Sequence, residues 1–234
     1  MPESSPQISP RPIAVSWSGG KDSALMLHAL RRDPRYAPVA LLTTVTGPTA
    51  RISYHRVRED LLDRQATALG LPLYKMVLTA EHAADADYIR AFGESVRSLR
   101  EAGIETIAFG DIFLDDLRHW REDRMAEAGL HPVFPIWGRD SRELMDEFLA
   151  ASFAARLVCV DAHKLGRDFA GRLLDRALLD DLPGGVDPCG ENGEYHSFVF
   201  DGPGFAAPVA VRVGTITAEG GRYYADLVPV EAAS

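Results

Sequence analysis

The chain reads as an α/β protein: an open parallel five-stranded sheet with helices on both faces over residues 12–138, followed by a smaller α+β domain over 139–234. Three observations predict this. Short apolar runs alternate with stretches of helical period from Ile13 to Ile136, the pattern of right-handed βαβ crossovers. The length of 234 residues and the 46% hydrophobic content suffice for one substantial core or two small ones, so no disulfide or metal staple is needed. After Trp137-Gly138 the alternation breaks, and the tail ends in a hairpin pattern.

Taken in order, the first eleven residues are rich in Pro and Ser and read as a disordered leader. Ile13-Ala14-Val15-Ser16 is a first strand, and from Asp22 the spacing of Met26 and Leu30 predicts a helix. Pro38 to Val45 is nearly continuously apolar and β-branched, as a parallel strand covered on both faces must be. From His55 to Leu69, Val57, Leu61, Leu62 and Leu69 share one helical face, with Gly70 and Pro72 as stop signals. Leu73 to Leu78 is the third strand. Tyr88, Phe92, Val96 and Leu99 mark a helix closed by Gly103. Ile104 to Phe109 is the fourth strand, a charged helix spans Leu117 to Ala128, and His131 to Ile136 is the fifth strand. Beyond a soft boundary near residue 138, Leu144, Met145, Phe148 and Leu149 predict a helix and Leu157 to Val160 a strand. Leu173, Leu174, Ala177 and Leu178 predict a further helix, and Val209 to Val230 a hairpin turning at Glu219-Gly220-Gly221.

Composition excludes several classes. No apolar run approaches the roughly 20 residues that cross a bilayer, and the start lacks the basic-then-apolar order of a signal peptide. Cys159 and Cys189 have no CxxC or Cys/His spacing, which argues against a structural zinc site and a secreted disulfide framework; a reducing cytoplasm fits. A net charge of −9 argues against wrapping nucleic acid over a large surface. Only three lysines, Lys21, Lys75 and Lys164, stand beside 22 arginines, which draws attention to the one inside a glycine-rich loop.

That loop, Ser18-Gly19-Gly20-Lys21-Asp22-Ser23, joins a buried strand to a helix, where outward N–H groups and the helix dipole favour an anion. Its glycines permit positive φ and close backbone approach to phosphate. Lys21 supplies a charge, and Ser16, Ser18 and Ser23 supply hydroxyls. It is neither a Walker A loop nor GxGxxG, because Asp22 follows the lysine and Val15 replaces the first glycine. Gly-Gly alone is equally compatible with an ordinary serine-capped βα turn. Ligands of open parallel sheets bind beyond the strands' carboxyl ends, which gathers this loop, the Thr43 to Thr46 segment with Thr44, and Gly110-Asp111.

The full hexapeptide resembles the PP-loop of the N-type ATP pyrophosphatases. Further on, Cys189-Gly190-Glu191-Asn192-Gly193-Glu194-Tyr195-His196-Ser197-Phe198, ahead of Asp201-Gly202-Pro203, resembles the signature of the diphthine–ammonia ligase family. Gly110-Asp111-Ile112, Pro135-Ile136-Trp137 and Asp161-Ala162-His163-Lys164-Leu165 match that family in order, so the likeness spans roughly residues 13 to 205 and leaves out the hairpin tail.

The resemblance implies a HUP (adenine nucleotide alpha-hydrolase-like) fold and ATP with Mg²⁺. It also implies a two-step amide synthesis, in which a carboxylate attacks the α-phosphorus and ammonia then displaces AMP. Positioning and charge neutralisation carry such a reaction. With the placement of loop and strand ends, this makes Ser16, Ser18, Gly19, Gly20, Lys21, Asp22, Ser23, Thr44 and Gly110 the candidates for the nucleotide and Lys21, Asp111, Glu191 and Glu194 the candidates for the chemistry. Magnesium prefers carboxylates with phosphate oxygens, so Asp22 and Asp111 are the candidates for the metal. Asp22 is equally explained as a helix N-terminal acid. Glu191 and Glu194, three apart in a Gly-flanked loop, are expected to face one pocket, hold ammonium and take a proton; a solvated acidic turn is the plain alternative.

The acceptor is diphthine on an elongation factor if the host is archaeal or eukaryotic. The arginine-over-lysine and alanine bias points instead to a GC-rich genome and another carboxylate. His55 and His196 are lone histidines, more often structural than catalytic, and Cys189 reads as a small turn residue. The mixed charges from Asp115 to Glu127 read as a solvated helix face, Trp120 reads as packing, and Trp137 is left between packing and stacking. Two rival classes remain: a PP-loop enzyme acting on another small molecule or tRNA, and a non-catalytic adenine-nucleotide-binding protein.

Overall fold

The structure is a computed structural model that describes residues 9–47, 51–52, 56–79 and 85–230. β1 (Arg11–Ser16) is fully buried from Ile13 to Val15 and leads into α1 (Lys21–Arg32). This helix buries Ala24, Leu25, Met26, Leu27 and Leu30, and it carries Asp22 in its first turn with Arg31 and Arg32 in its last, so its charges complement its dipole. β2 (Tyr36–Thr46) runs parallel to β1, from Arg11 opposite Tyr36 to Ser16 opposite Leu42. β3 (Arg51–Ile52) is a two-residue antiparallel addition to the end of β2, too short to leave a periodic signal.

α2 (Glu59–Leu69) ends on Gly70 at φ 67°, the left-handed cap that the sequence announces. β4 (Leu73–Leu78) pairs parallel with β2, and α3 (Asp85–Glu101) returns the chain to β5 (Thr106–Ala108). β5 lies parallel to β1 on the side away from β2, and β6 (His131–Val133) lies beyond it after α4 (Asp115–Glu127). The parallel order is therefore β4-β2-β1-β5-β6. Chain direction across the sheet reverses at β1, which makes the carboxyl ends of β1 and β5 the crevice where such sheets bind ligands.

Helices cover both faces. One face buries Leu25, Leu61, Leu62, Leu144 and Phe148; the other buries Val96, Leu99 and Met125 against Ala14, Leu42 and Ile107.

The second half starts with α5 (Ser141–Ala150), capped by Asp140, whose carboxylate accepts the N–H groups of Arg142 and Glu143 at 2.9 and 3.0 Å. β7 (Ala154–Asp161), β8 (Tyr195–Asp201), β9 (Val211–Glu219) and β10 (Arg222–Pro229) form an antiparallel sheet in the order β8-β7-β10-β9. The hairpin turns at Glu219-Gly220-Gly221 as expected, but its second strand lies inside this sheet beside β7, making it an integral part of the second half. One core cluster runs unbroken from Val15, Leu41 and Leu61 to Phe148, Phe198 and Leu227.

Several elements differ from the sequence reading. β1 begins at Arg11, the last residue assigned to the leader; residues 1–8 lie outside the described residues. The helix expected from Leu173 forms only as α6 (Arg176–Asp180), because Asp175 accepts the Leu178 N–H and starts it late, while Leu173 bridges to Arg156. β8 occupies Tyr195–Asp201, a stretch to which the sequence pattern assigns no element. Trp120, read as packing, is 43% exposed, since α4 rests on the surface and buries only Met125 among its residues. Its charges do pair along the helix, Arg118 with Glu122 at 2.8 Å and Arg124 with Glu127 at 2.6 Å.

Candidate active site

At the switch point the backbone passes from β1 into α1 through two glycines, each required for its own reason. Gly19 sits at φ 77°, and a Cβ there would lie 2.7 Å from Oε1 of Gln65. Gly20 is extended, but a Cβ on it would lie 3.0 Å from the carbonyl oxygen of Ser197 on β8. Within the loop, the Ser23 hydroxyl donates to the Gly20 carbonyl at 2.9 Å, and Ser18 Oγ accepts the Gly20 N–H at 3.3 Å. No side chain at the Gly20 cap position closes the helix. Its first amide, Lys21 N–H, donates instead to the Ser197 hydroxyl at 3.1 Å.

The loop is clamped from outside by Gln65, a fully buried residue on α2. Its Oε1 accepts the Trp17 indole N–H at 2.9 Å, and its Nε2 donates to the carbonyls of Gly19 at 3.0 Å and Val199 at 2.5 Å. Gly19 O also accepts the Val199 N–H at 2.9 Å. The glycine-rich loop, α2 and β8 are thus held at one junction.

Lys21 is 3% exposed; its Nζ stands 2.9 Å from Asp22 Oδ2 and 5.0 Å over the Tyr195 ring. Burial pulls the lysine pKa down, but the charge of Asp22 beside it outweighs burial and holds Lys21 above its ordinary value, as a cation. Burial raises the Asp22 carboxyl, and attraction to Lys21 offsets this only in part. Asp22 Oδ1 is sealed from solvent with no hydrogen-bond partner, which marks a place for a cation or donor brought by a ligand.

Gly110 lets the end of β5 lie directly on the start of α1: a Cβ would stand 3.2 Å from the carbonyl carbon and oxygen of Asp22. Buried Asp111 is gripped by Arg121, with Nε at 2.6 Å and Nη2 at 3.3 Å, while that guanidinium lies 4.5 Å over Phe109. Glu191 reaches across from the second half and accepts the Ile112 N–H at 2.8 Å. Burial, then the charges of Asp22 and Asp111, push its carboxyl up to about 7, against the opposing Ile112 hydrogen bond and Lys21.

The turn that carries Glu191 is built by Asp187, whose carboxylate accepts the N–H groups of Cys189 and Glu191 at 3.0 and 2.9 Å. Tyr195 donates its hydroxyl to the Pro188 carbonyl.

Glu194 takes different partners. Its Oε1 accepts from Asp187 N–H and Asn192 Nδ2, both at 3.3 Å, with Lys164 Nζ at 3.5 Å. Burial raises its pKa, but the backbone and Asn192 hydrogen bonds and the Lys164 charge prevail and hold it below the usual glutamate value. Its Oε2 is buried without a partner. The structure therefore brings Lys21, Asp22, Gly110, Asp111 and Glu191 together, and sets Glu194 against Lys164. Ser16 ends β1 opposite Leu42, and Thr44 lies one strand away on β2, opposite Met76.

The sequence of these features is matched by two family models. The diphthamide synthase N-terminal domain covers residues 11–132, and the diphthamide synthase C-terminal domain covers residues 140–227. The chain belongs to the diphthamide synthase family. A protein of Bos taurus named diphthine–ammonia ligase is 27% identical over 219 residues, covering 85% of this chain and 82% of its own. One of Danio rerio with the same name is 29% identical over 215 residues, covering 83% and 84%. One of Schizosaccharomyces pombe, also so named, is 26% identical over 205 residues, covering 80% of this chain and 34% of its own greater length.

The C-terminal diphthamide synthase match extends through most of the hairpin, which corrects the expectation that the likeness stops near residue 205. In this member of the family both cysteines are free and buried, and burial pushes Cys189 up to about 12, which disfavours its thiolate at neutral pH. His55 lies outside the described residues; His196 stands on β8 opposite Cys159. Trp137 packs edge-on against Phe134 and carries the Arg118 guanidinium 4.7 Å over its ring.

Among the described residues no group of three His, Cys, Asp or Glu side chains is set to hold a metal by itself. No helix among them is long and apolar enough to cross a membrane. Sequence reasoning missed Gln65, although a signal was present: it is the polar member of the Leu61, Gln65, Leu69 row, four apart on an otherwise apolar helix face.

Proposed function

We propose that the chain is a cytoplasmic, ATP-dependent carboxylate–ammonia ligase. On this reading residues 12–138 bind Mg-ATP and residues 139–234 supply the acidic loop that closes over it. The observation that carries the reading is the buried Lys21–Asp22 pair at the head of α1, at the switch point of a parallel sheet, with the Asp22 Oδ1 left unpartnered. A buried lysine cation and a helix N-terminus suit a polyphosphate. A divalent ion arriving with ATP prefers carboxylates and phosphate oxygens together. Asp22 through Oδ1, and Asp111 through the oxygen that keeps only the 3.3 Å contact to Arg121, are the residues to meet it.

In the first step a carboxylate oxygen of the acceptor bonds to the α-phosphorus and the bond to the β-phosphate oxygen breaks, releasing pyrophosphate. Lys21, Ser16, Ser18, Ser23 and the amides around Gly19 and Gly20 hold the leaving charge, with Thr44 and Gly110 bordering the nucleotide. In the second step ammonia bonds to the acyl carbon and AMP leaves. Glu191, poised near neutrality, takes the proton that the nitrogen sheds, and Glu194 offers its unpartnered oxygen to ammonium.

The relatives' names point to diphthine as acceptor, and the reaction class extends to other carboxylates. The test is to supply Mg-ATP and ammonium with diphthine-bearing elongation factor and with a panel of small carboxylates, and to measure AMP, pyrophosphate and amide. Acceptor-dependent AMP formation that disappears in Lys21→Ala is expected. Release of ADP, or AMP formation indifferent to Lys21, would overturn the reading; salt-sensitive tRNA binding would favour a nucleic-acid substrate instead.

A further inference from the structure

The phosphate cradle has a wall that the loop itself does not provide. Ser197 projects from β8 of the second half onto the start of α1, is 3% exposed, and accepts the Lys21 N–H at 3.1 Å. Its carbonyl oxygen would crowd a side chain at Gly20. A hydroxyl is both acceptor and donor. Its acceptor side is spent on Lys21, while its hydrogen has no acceptor among the described residues. A buried, unspent donor beside a buried lysine and a helix N-terminus calls for an oxygen anion.

We propose that Ser197 is a pyrophosphate-binding residue, donating its hydroxyl hydrogen to a phosphate oxygen of the bound nucleotide while Lys21 N–H fixes its rotamer. The inference rests on the reading of the loop as an ATP site and assigns one more ligand to it, from the opposite half of the chain. The consequence is coupling. Gln65 and Val199 tie the loop to the same strand, so pyrophosphate contacts both halves, and β8 also begins directly after Glu194.

Titration calorimetry of the full chain with Mg-ATP, magnesium pyrophosphate and AMP separates the roles. Ser197→Ala is expected to weaken Mg-ATP and pyrophosphate roughly tenfold or more, the usual cost of losing a hydrogen bond to a charged group. AMP affinity should stay unchanged, and Ser197→Thr should restore the loss. Equal loss of all three ligands with a lowered ligand-free melting temperature would mean that Ser197 only caps α1, and the proposal falls. Unchanged Mg-ATP binding in Ser197→Ala, in a protein whose wild type binds and whose Lys21→Ala does not, removes Ser197 and leaves the loop reading intact. Wild-type protein that binds neither Mg-ATP nor pyrophosphate removes the loop reading, and this proposal with it.

Discussion

Replacing Gln65 with leucine should unlock the loop without emptying the space, since leucine roughly preserves the volume and the cavity cost is small. Three interactions of the carboxamide vanish, but their consequences differ. Gly19 O keeps the Val199 N–H at 2.9 Å, whereas the buried Trp17 indole N–H and the Val199 carbonyl lose the partners they have at 2.9 and 2.5 Å. Each buried group left unpaired costs about 1–3 kcal/mol, so the two together should cost roughly 4 kcal/mol. For a chain of this size that lowers the melting temperature by about 8–16 °C.

Urea titration followed by tryptophan fluorescence measures the loss, and Trp17 sits at the junction itself. Gln65→Glu retains the acceptor for Trp17 but must be protonated to donate to either carbonyl. Burial raises a carboxyl's folded pKa above its unfolded one, so that variant should be closer to wild type at pH 5 and progressively weaker as pH rises through the raised value. A Gln65→Leu loss below about 1 kcal/mol would refute the reasoning, because it would mean that water or relaxed side chains satisfy both orphaned groups.

Other consequences are open to direct measurement. Gly190 stands at φ 64° with the Tyr195 ring 2.8 Å from where a Cβ would go; Gly190→Ala should cost about 2–4 kcal/mol in chemical denaturation. Glu191 has a folded pKa of about 7, above its ordinary value. Its contribution is therefore fully present below the unfolded pKa and is lost as pH rises through 7. Glu191→Gln, which can still accept from Ile112 N–H, should show a melting temperature that overtakes wild type between pH 5 and 8; parallel curves would contradict the assignment. Native protein should expose no thiol to a colorimetric disulfide reagent at pH 8, since Cys159 and Cys189 are both buried with raised pKa values, and two thiols should appear on unfolding.

What the sequence made legible follows the range of each signal. The five parallel strands, the Gly70 cap and the loop chemistry are written in local runs: a βαβ period, an αL stop and a hexapeptide. β8 is less legible because its Tyr195–Asp201 run follows directly on an acidic, Gly-punctuated turn whose residues signal a loop. Leu173 and Leu178 look like one helix by spacing, yet Asp175 between them is a cap, and a cap outranks a weak periodic pattern over so few residues.

Within the site, Lys21, Asp22, Gly110 and Asp111 could be found from their positions at strand ends. That Arg121 grips Asp111, or that Ser197 meets Lys21, depends on contacts 10 and 176 residues apart. Glu191 and Glu194 show the limit of spacing arguments. Their spacing in a Gly-flanked loop leads one to expect a shared pocket, but the backbone between them turns at Gly193 with φ 81°, and they take different partners.

The same contacts constrain how the nucleotide proposed for the loop would get in. Phe198 and Val199 of β8 belong to one core cluster with Trp17 and Leu62, all four at most 1% exposed. Swinging the halves apart would return these side chains to water. At about 1.5–3 kcal/mol each, that is roughly 6–12 kcal/mol, comparable to the entire stability of a typical domain. Entry by a wide hinge is therefore too costly.

The contacts between the crevice rim and the second half are far weaker. Glu191 is held to Ile112 by a single hydrogen bond of 2.8 Å, and Asp111 is held by an ion pair to Arg121, a residue of its own half. Opening at that rim breaks few interactions and leaves the core intact. The carboxylate that must move is also the one whose charge changes near neutral pH. Access to the loop should therefore depend on the protonation of Glu191 while the Gln65 junction stays shut. Hydrogen exchange at Ile112 N–H that quickens from pH 6 to pH 8 by no more than base catalysis predicts would contradict this.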